Sequence, residues 1–190
     1  LKPTHQIFLC EMGATKLGDI KEICDIVNPK LGVITSIGPQ HLESFKNIEN
    51  VIKTKFELAD SVEKNGGTIF LNYDNEFIKN KSLNMKKITY GLNNKELDYN
   101  SYNLESSSKG LKFKTVDKNK EEVKELKTKL IGKHNIVNIT GAIAVADFLG
   151  VPSKKIVSKI REIQNVKHRL ELVPKGPVTI IDDSYNANPI

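Results

Sequence analysis

Three apolar runs in this chain each give way to a polar group that could do chemistry. Glu11 follows Gln6-Ile7-Phe8-Leu9-Cys10. His41 follows Leu31-Gly32-Val33-Ile34-Thr35-Ser36-Ile37 and its Gly38-Pro39-Gln40 turn. Asp183 closes Val178-Thr179-Ile180-Ile181-Asp182. If the runs are buried parallel strands, these groups collect at the carboxyl ends of one sheet, where open α/β sheets bind ligands. Taken singly, each is as well explained as a strand-end cap or a satisfied surface residue. Three together point to a site.

Lys55 is the sharpest single signal. In the helical pattern from about Ile48 to Glu63, the apolar stripe is Ile48, Val51, Ile52, Ala59 and Val62. Lys55 stands three after Ile52 and four before Ala59, so it falls on the core-facing side, whereas Lys53 points elsewhere. An ammonium in a core is costly unless it is paired or neutralised. One explanation is a side chain that snorkels to the rim. The other is an amine of lowered pKa that adds carbon dioxide, giving a carbamate whose oxygens suit Mg²⁺. Asn135 and Asn138 share a face where Gly132-Lys133-His134 opens a helix. They either cap it or use two amides to read the donor and acceptor edge of a base. Arg169, in His168-Arg169 before the last strand, could meet a phosphate or carboxylate with paired hydrogen bonds, although any surface arginine looks the same by itself. No Gly-x-x-x-x-Gly-Lys-Ser/Thr loop occurs in the chain, so the segment that would cradle ATP phosphates on such a sheet is missing from it.

These groups need a scaffold, and the pattern supplies one. Gln6–Cys10 reads as a buried strand, Leu17–Val27 as a helix ended by Asn28-Pro29, Leu31–Ile37 as a second strand, Ile48–Glu63 as a helix stopped by Asn65-Gly66-Gly67, and Thr68–Asn72 as a third strand. Strand, helix, strand, helix, strand with short links predicts a doubly wound, mostly parallel sheet in an α/β fold. Residues 86–130 alternate apolar and polar between turn signals and predict a small antiparallel β insertion at the edge of the domain. Helices are expected at Asn135–Leu149, where Ala142, Ala144 and Ala146 allow close packing, and at Ser153–Glu162. Residues 178–183 read as a last buried strand.

The chain of 190 residues is 38% hydrophobic and 27% charged, which fits a globular domain with a core and excludes a disordered or fibrous chain. No apolar run approaches a membrane span. The net charge of +6 comes with only 6% aromatic residues and lysines spread along the chain. That balance favours anionic small molecules over nucleic acid. Cys10 and Cys24 form no metal-binding or redox pair and read as reduced, buried thiols. Beginning on Leu1 without an apolar leader, the chain reads as an internal segment of a larger cytoplasmic protein.

Six strings in order, Glu11-Met12-Gly13-Ala14, Ser36-Ile37-Gly38-Pro39-Gln40-His41-Leu42-Glu43, Ile52-Lys53-Thr54-Lys55, Gly132-Lys133-His134-Asn135-Ile136-Val137-Asn138, His168-Arg169 and Asp182-Asp183-Ser184-Tyr185-Asn186-Ala187-Asn188-Pro189, resemble the central domain of the Mur ligases across nearly the whole chain. The resemblance implies that residues 1–190 are a central ATP-binding domain without its first strand and phosphate loop, and without the flanking UDP-sugar and C-terminal domains. It implies an ATP-dependent peptide ligase of the cell-wall pathway, a monomer when full length, that joins D-alanyl-D-alanine to UDP-N-acetylmuramoyl-tripeptide, with the segment alone inactive. Glu11, His41 and a carbamylated Lys55 would hold Mg²⁺ in the catalytic centre. Asn135 and Asn138 would contact the adenine side of ATP, Arg169 its ribose or phosphates, and Asp183 the ribose and a hinge. The rivals are another amide ligase of the same superfamily, adding a different amino acid or glutamate to folate, and a basic binding module without catalysis. The last leaves Lys55 on an apolar stripe unexplained.

Overall fold

The computed structural model describes residues 2–118 and 123–185. In chain order the elements are α1 (Asp19–Val27), β1 (Leu31–Ile34), α2 (Leu42–Phe45), α3 (Ile48–Lys64), β2 (Thr68–Asn72), α4 (Glu76–Lys81), β3 (Ile88–Leu92), β4 (Tyr99–Ser107), β5 (Gly110–Asp117), β6 (Val123–Thr128), α5 (His134–Phe148), α6 (Ser153–Glu162), β7 (Glu171–Lys175) and β8 (Val178–Asp182). Six strands form one sheet in the order β1-β2-β3-β4-β5-β6. Strands β1 to β4 are mutually parallel and β4 to β6 antiparallel. Helices cover both faces of the parallel part, so the doubly wound α/β expectation holds.

Strand β2 shows why its apolar run is continuous. Phe70 packs into a cluster with Tyr90, Phe113, Ile136 and Ile143 on the α5 face, while Ile69 and Leu71 pack with Val51, Ala59 and Val62 on the α3 face. A strand covered on both sides has no use for alternation. Strand β5 is the opposite case. Leu111 and Phe113 are buried against α5 and α6, and Lys112 is exposed between them, because this wing is covered on one face only.

The antiparallel wing begins later than the alternation from residue 86 suggests. Strand β3 belongs to the parallel part, and residues 93–98 alone return the chain to the start of the parallel strand β4. Such a crossover ordinarily takes about a dozen residues or more. The short loop is held by Asp98, whose carboxylate accepts from Thr89 N at 2.7 Å and Thr89 Oγ1 at 2.8 Å, and by the burial of Leu97. Helix α4, too short for a periodic signal, is a turn and a half that buries Ile78, and its mark in the sequence is the N-cap of Asn75.

Two expected strands differ. Residues 6–10 form no ladder, and Ile7, Phe8 and Leu9 are 63%, 56% and 91% exposed. Strand β8 does form, but it pairs antiparallel with β7 in a separate two-stranded sheet and is exposed along most of its length. An apolar run shows that a strand needs cover; it does not show that cover is at hand. Cys24 is buried as expected, but Cys10 is only half-buried, since its segment lies outside the sheet.

Helix α5 is fixed tightly against the sheet. Gly141 sits on the Tyr90 ring, where an added Cβ would lie 2.8 Å from the ring carbon Cζ. Gly141 and Ala144 make the close approach, and Ala142 is exposed. Tyr99 donates to Asp147 Oδ2 at 2.8 Å, and Ser101 shares hydrogen bonds of 2.6 Å with both Thr115 and Thr140. Burial and then the Asp147 contact push the Tyr99 hydroxyl up. These bonds fix the register of α5 and so the direction of its first turn.

Candidate functional site

The first turn of α5 faces, across a cavity of about 410 Å³, the loop that leads into β7 and the residues that follow β8. Asn135, Asn138, Arg169 and Asp183 all line it, with His134 and Tyr185. The four residues expected to meet a nucleotide therefore come together from three separate parts of the chain.

Each is placed by local backbone chemistry. Gly132 (φ +86) makes the turn into α5, and a Cβ there would fall 2.6 Å from the His134 ring and 2.8 Å from Leu170. The Asn135 amide donates to Ile131 O at 2.7 Å, so it ties down the preceding loop and does not cap the helix. The N-cap residue is Lys133, and no side chain caps this helix end. Asn135 N and Ile136 N close the turn onto Gly132 O and Lys133 O at 3.0 Å, and the positive dipole end of the helix lies beside the cavity that His134, Asn135 and Asn138 line. The capping alternative for Asn135 is set aside.

Arg169 stands between two residues held in the left-handed region, His168 (φ 63) and Leu170 (φ 47). Neither is glycine, so this turn is strained and is retained by its surroundings. Leu170 N donates to Asp183 Oδ1 at 3.1 Å, Tyr185 N donates to His168 O at 3.0 Å, and His168 Nδ1 lies 2.8 Å from Asp182 Oδ2. The Arg169 guanidinium lies over the Tyr185 ring at 4.5 Å. Hydrogen bonds from Ser184 and then His168 hold the Asp182 carboxyl below its usual range. Tyr185 and His134 are cavity residues to which the sequence assigns no role; an aromatic two residues after a pair of acids is the available signal for Tyr185. Asn186–Pro189 lie outside the described residues.

A second cleft, of about 360 Å³, opens at the carboxyl end of β1. Glu11 and Lys55 line it together with Thr35 and Ser36. Lys55 is half-buried, while Val51, Ala59 and Val62 on the same face of α3 are buried. The stripe is as expected, but Lys55 stands at its rim. His41 is not among the residues lining this cleft. It is exposed, with φ 54, at the start of α2, and its carbonyl accepts from Ser44 N and Phe45 N at 3.0 Å. Two of the three expected metal-binding residues share a cleft, and the third is carried by the loop that walls it. Among the described residues, one cluster of His, Asp and Glu side chains has ligand atoms within 4.8 Å of one another: His168, Glu171 and Asp182. Its members already hold the Arg169 turn by hydrogen bonds.

Fold and cavities together define an α/β domain with one cavity at a helix N-terminus and an acid–lysine cleft at a strand end. The Mur ligase middle-domain model matches residues 1–146, and the chain belongs to that family. It is 31% identical, over 99% of its length, to the UDP-N-acetylmuramoyl-tripeptide–D-alanyl-D-alanine ligase of Buchnera aphidicola subsp. Baizongia pistaciae, and covers 41% of that protein. The structure of MurF from Acinetobacter baumannii superposes with a TM-score of 0.89 at 26% identity, covering all of this chain and 41% of that one. MurF from Thermotoga maritima, solved with ADP, shares the fold at a TM-score of 0.81 and 23% identity, covering 94% of this chain and 40% of that one. The chain thus spans about 41% of the length of the first of these relatives.

Proposed function

We propose that this chain is the nucleotide-handling part of an ATP-dependent ligase of peptidoglycan precursor synthesis. The reaction joins D-alanyl-D-alanine to UDP-N-acetylmuramoyl-tripeptide in the cytoplasm. The observation that carries the reading is the convergence of Asn135, Asn138, Arg169 and Asp183 on one cavity. No helix among the described residues is long and apolar enough to cross a membrane.

In this reading the tripeptide carboxylate attacks the γ-phosphorus of ATP, and ADP leaves. The resulting acyl phosphate is attacked by the dipeptide amine, which loses a proton as phosphate departs. Two anions must first be brought together, so the protein's task is to place them and neutralise charge. Asn138 and Asn135 address the base, and Arg169 pairs with ribose or phosphate oxygens. Tyr185 backs Arg169, and Asp183 keeps the turn in register through Leu170.

The acid–lysine cleft fits a hard divalent cation through the carboxylate oxygens of Glu11. Lys55 as an ammonium cannot be a ligand. Addition of its amine to carbon dioxide, with loss of a proton to solvent, gives an oxygen donor at the same place. Glu11, His41 and carbamylated Lys55 would then hold Mg²⁺, which neutralises phosphate charge when bound.

The test is phosphate release by the complete gene product with ATP, Mg²⁺ and UDP-muramoyl-tripeptide, with and without D-alanyl-D-alanine. Release that depends on the dipeptide supports the reading. Release that depends instead on a free amino acid, or on glutamate with a folate, keeps the family and overturns the reaction. The 190-residue chain alone, lacking a phosphate-cradling loop in its sequence, is expected to show no turnover.

A further inference from the structure

The backbone ladder between β1 and β2 ends at the pair Ile34–Leu71, although the apolar run that suggested the strand continues to Ile37. Beyond that point two side chains take over the donor role. Asn72 Nδ2 donates to Thr35 O at 2.8 Å, and Asn75 Nδ2 donates to Ile37 O at 2.8 Å. Both amides are locked from the other side as well. Asn72 Oδ1 accepts from Asp74 N at 3.0 Å, and Asn75 Oδ1 accepts from Ile78 N at 3.1 Å as the N-cap of α4. Each asparagine therefore points its NH₂ group one way only.

The segment so held matters to the cleft. Thr35 and Ser36 wall it, and Ile37 is buried in the α3-side core. Past Ile37 only Gly38, Pro39 and Gln40 intervene before His41, which is fixed from its far side by α2, with Phe45 buried. Asn50 completes that anchor by donating to Phe45 O at 2.7 Å.

We propose that Asn72 and Asn75 are positioning residues for cation binding. Their amides extend the β1–β2 pairing by side chain, so that the wall of the Glu11–Lys55 cleft and the loop bearing His41 stay in one place. Side chains rather than backbone do this because ordinary strand pairing would carry the chain straight on, whereas here it must leave the sheet and turn. The proposal rests on the reading that Glu11 and His41 serve a divalent cation.

The test uses Mn²⁺ as the probe, titrated into the chain and followed by electron paramagnetic resonance. The variants are Asn72→Asp, Asn75→Asp, Asn75→Ser and His41→Ala. Aspartate keeps the oxygen that serves the local turn or helix cap and loses the NH₂ donor, and serine keeps the cap of α4 without a second charge. Asn72→Asp, Asn75→Asp and Asn75→Ser are each expected to weaken Mn²⁺ binding about tenfold, the usual size for partners that orient ligands; thermal unfolding should change little at the half-buried Asn75 and fall at the buried Asn72, where the new carboxylate faces Thr35 O. In the complete gene product the same variants should raise the Mg²⁺ concentration for half-maximal phosphate release about as much, while the rate at saturating Mg²⁺ holds. If Asn75→Ser and Asn75→Asp bind Mn²⁺ like wild type while His41→Ala does not, the positioning role is wrong and the site reading stands. If His41→Ala also binds like wild type, or wild type binds no Mn²⁺, the site reading fails and takes the proposal with it. Equal losses in stability, affinity and saturated rate would show amides that merely hold the fold, and overturn the proposal.

Discussion

The cavity at α5 and the cleft at β1 were expected from the same kind of sequence signal, yet the structure completes one more fully than the other. At the cavity, every expected residue arrives on backbone that is hydrogen-bonded to its neighbours: a helix start after Gly132 and a strained turn clasped to β8. At the cleft, Glu11 comes on an unladdered segment whose apolar side chains face outward, and His41 stands on a loop outside the lining. A site is as well defined as the hydrogen bonding of the backbone that carries it. The cavity is set by bonds local to its own elements. The cleft depends on a few side-chain bonds.

That difference can be broken at either end. The largest effect is expected from Lys55→Ala in the complete gene product. Phosphate release should fall by about a hundredfold or more, as when a group specific to the transition state is removed, and a short-chain carboxylic acid should restore part of it. Restoration by the acid supports a carbamate. A fall that no acid restores points to an ammonium that touches phosphate directly. Arg169→Ala should come next, weakening ADP binding by about tenfold or more through loss of a charge-assisted contact; calorimetry reads this, and the unfolding midpoint should move little because the side chain is exposed.

Two glycines sharpen the contrast between a set backbone and an open one. Gly132→Ala places a Cβ 2.6 Å from His134 in a left-handed turn, and should cost about 1–3 kcal/mol in thermal unfolding. Gly13→Ala, on the cleft segment with nothing within 4 Å of the new Cβ, should stay within about 0.5 kcal/mol. The smallest effect concerns acid. Hydrogen bonds from Ser184 and His168 hold the Asp182 carboxyl below the usual carboxylate range, so the folded state binds its proton less readily than the unfolded chain does. Its contribution is present above the unfolded value and is lost as pH falls through the lowered folded one. The amide signal of Ser184, which donates to Asp182 Oδ1 at 3.1 Å, should therefore report this carboxyl taking its proton below about pH 4.

The sequence made the periodic elements legible. The ends of β2 and α6 fall at the expected residues, and α1, α3 and α5 lie within two of them. The cavity residues were legible because each sits beside a hard signal: a glycine before a helix, a basic pair before a strand, or paired acids after one. Periodicity cannot report partners, which is why residues 6–10 and 178–183 were both expected as buried strands. It also concealed that β3 is parallel, since β3 reaches β4 through a loop too short for the usual crossover. Lys55 is instructive in another way. Helix geometry gives the direction of a side chain, but depth is set by how far the neighbouring strand extends, and β1 stops at Ile34.

In the proposed reading Asn135, Asn138, Arg169 and Asp183 form the adenine nucleotide site. It is tested most directly by following isoleucine and leucine methyl signals of the complete gene product while ADP is added. Leu130, Ile163 and Leu170 line the cavity, and their methyls should shift together along one binding curve, while Ile7 and Leu9 at the cleft segment stay fixed. Saturable shifts at Ile7 and Leu9 with none at Leu130, Ile163 and Leu170 would place the nucleotide elsewhere and contradict the account.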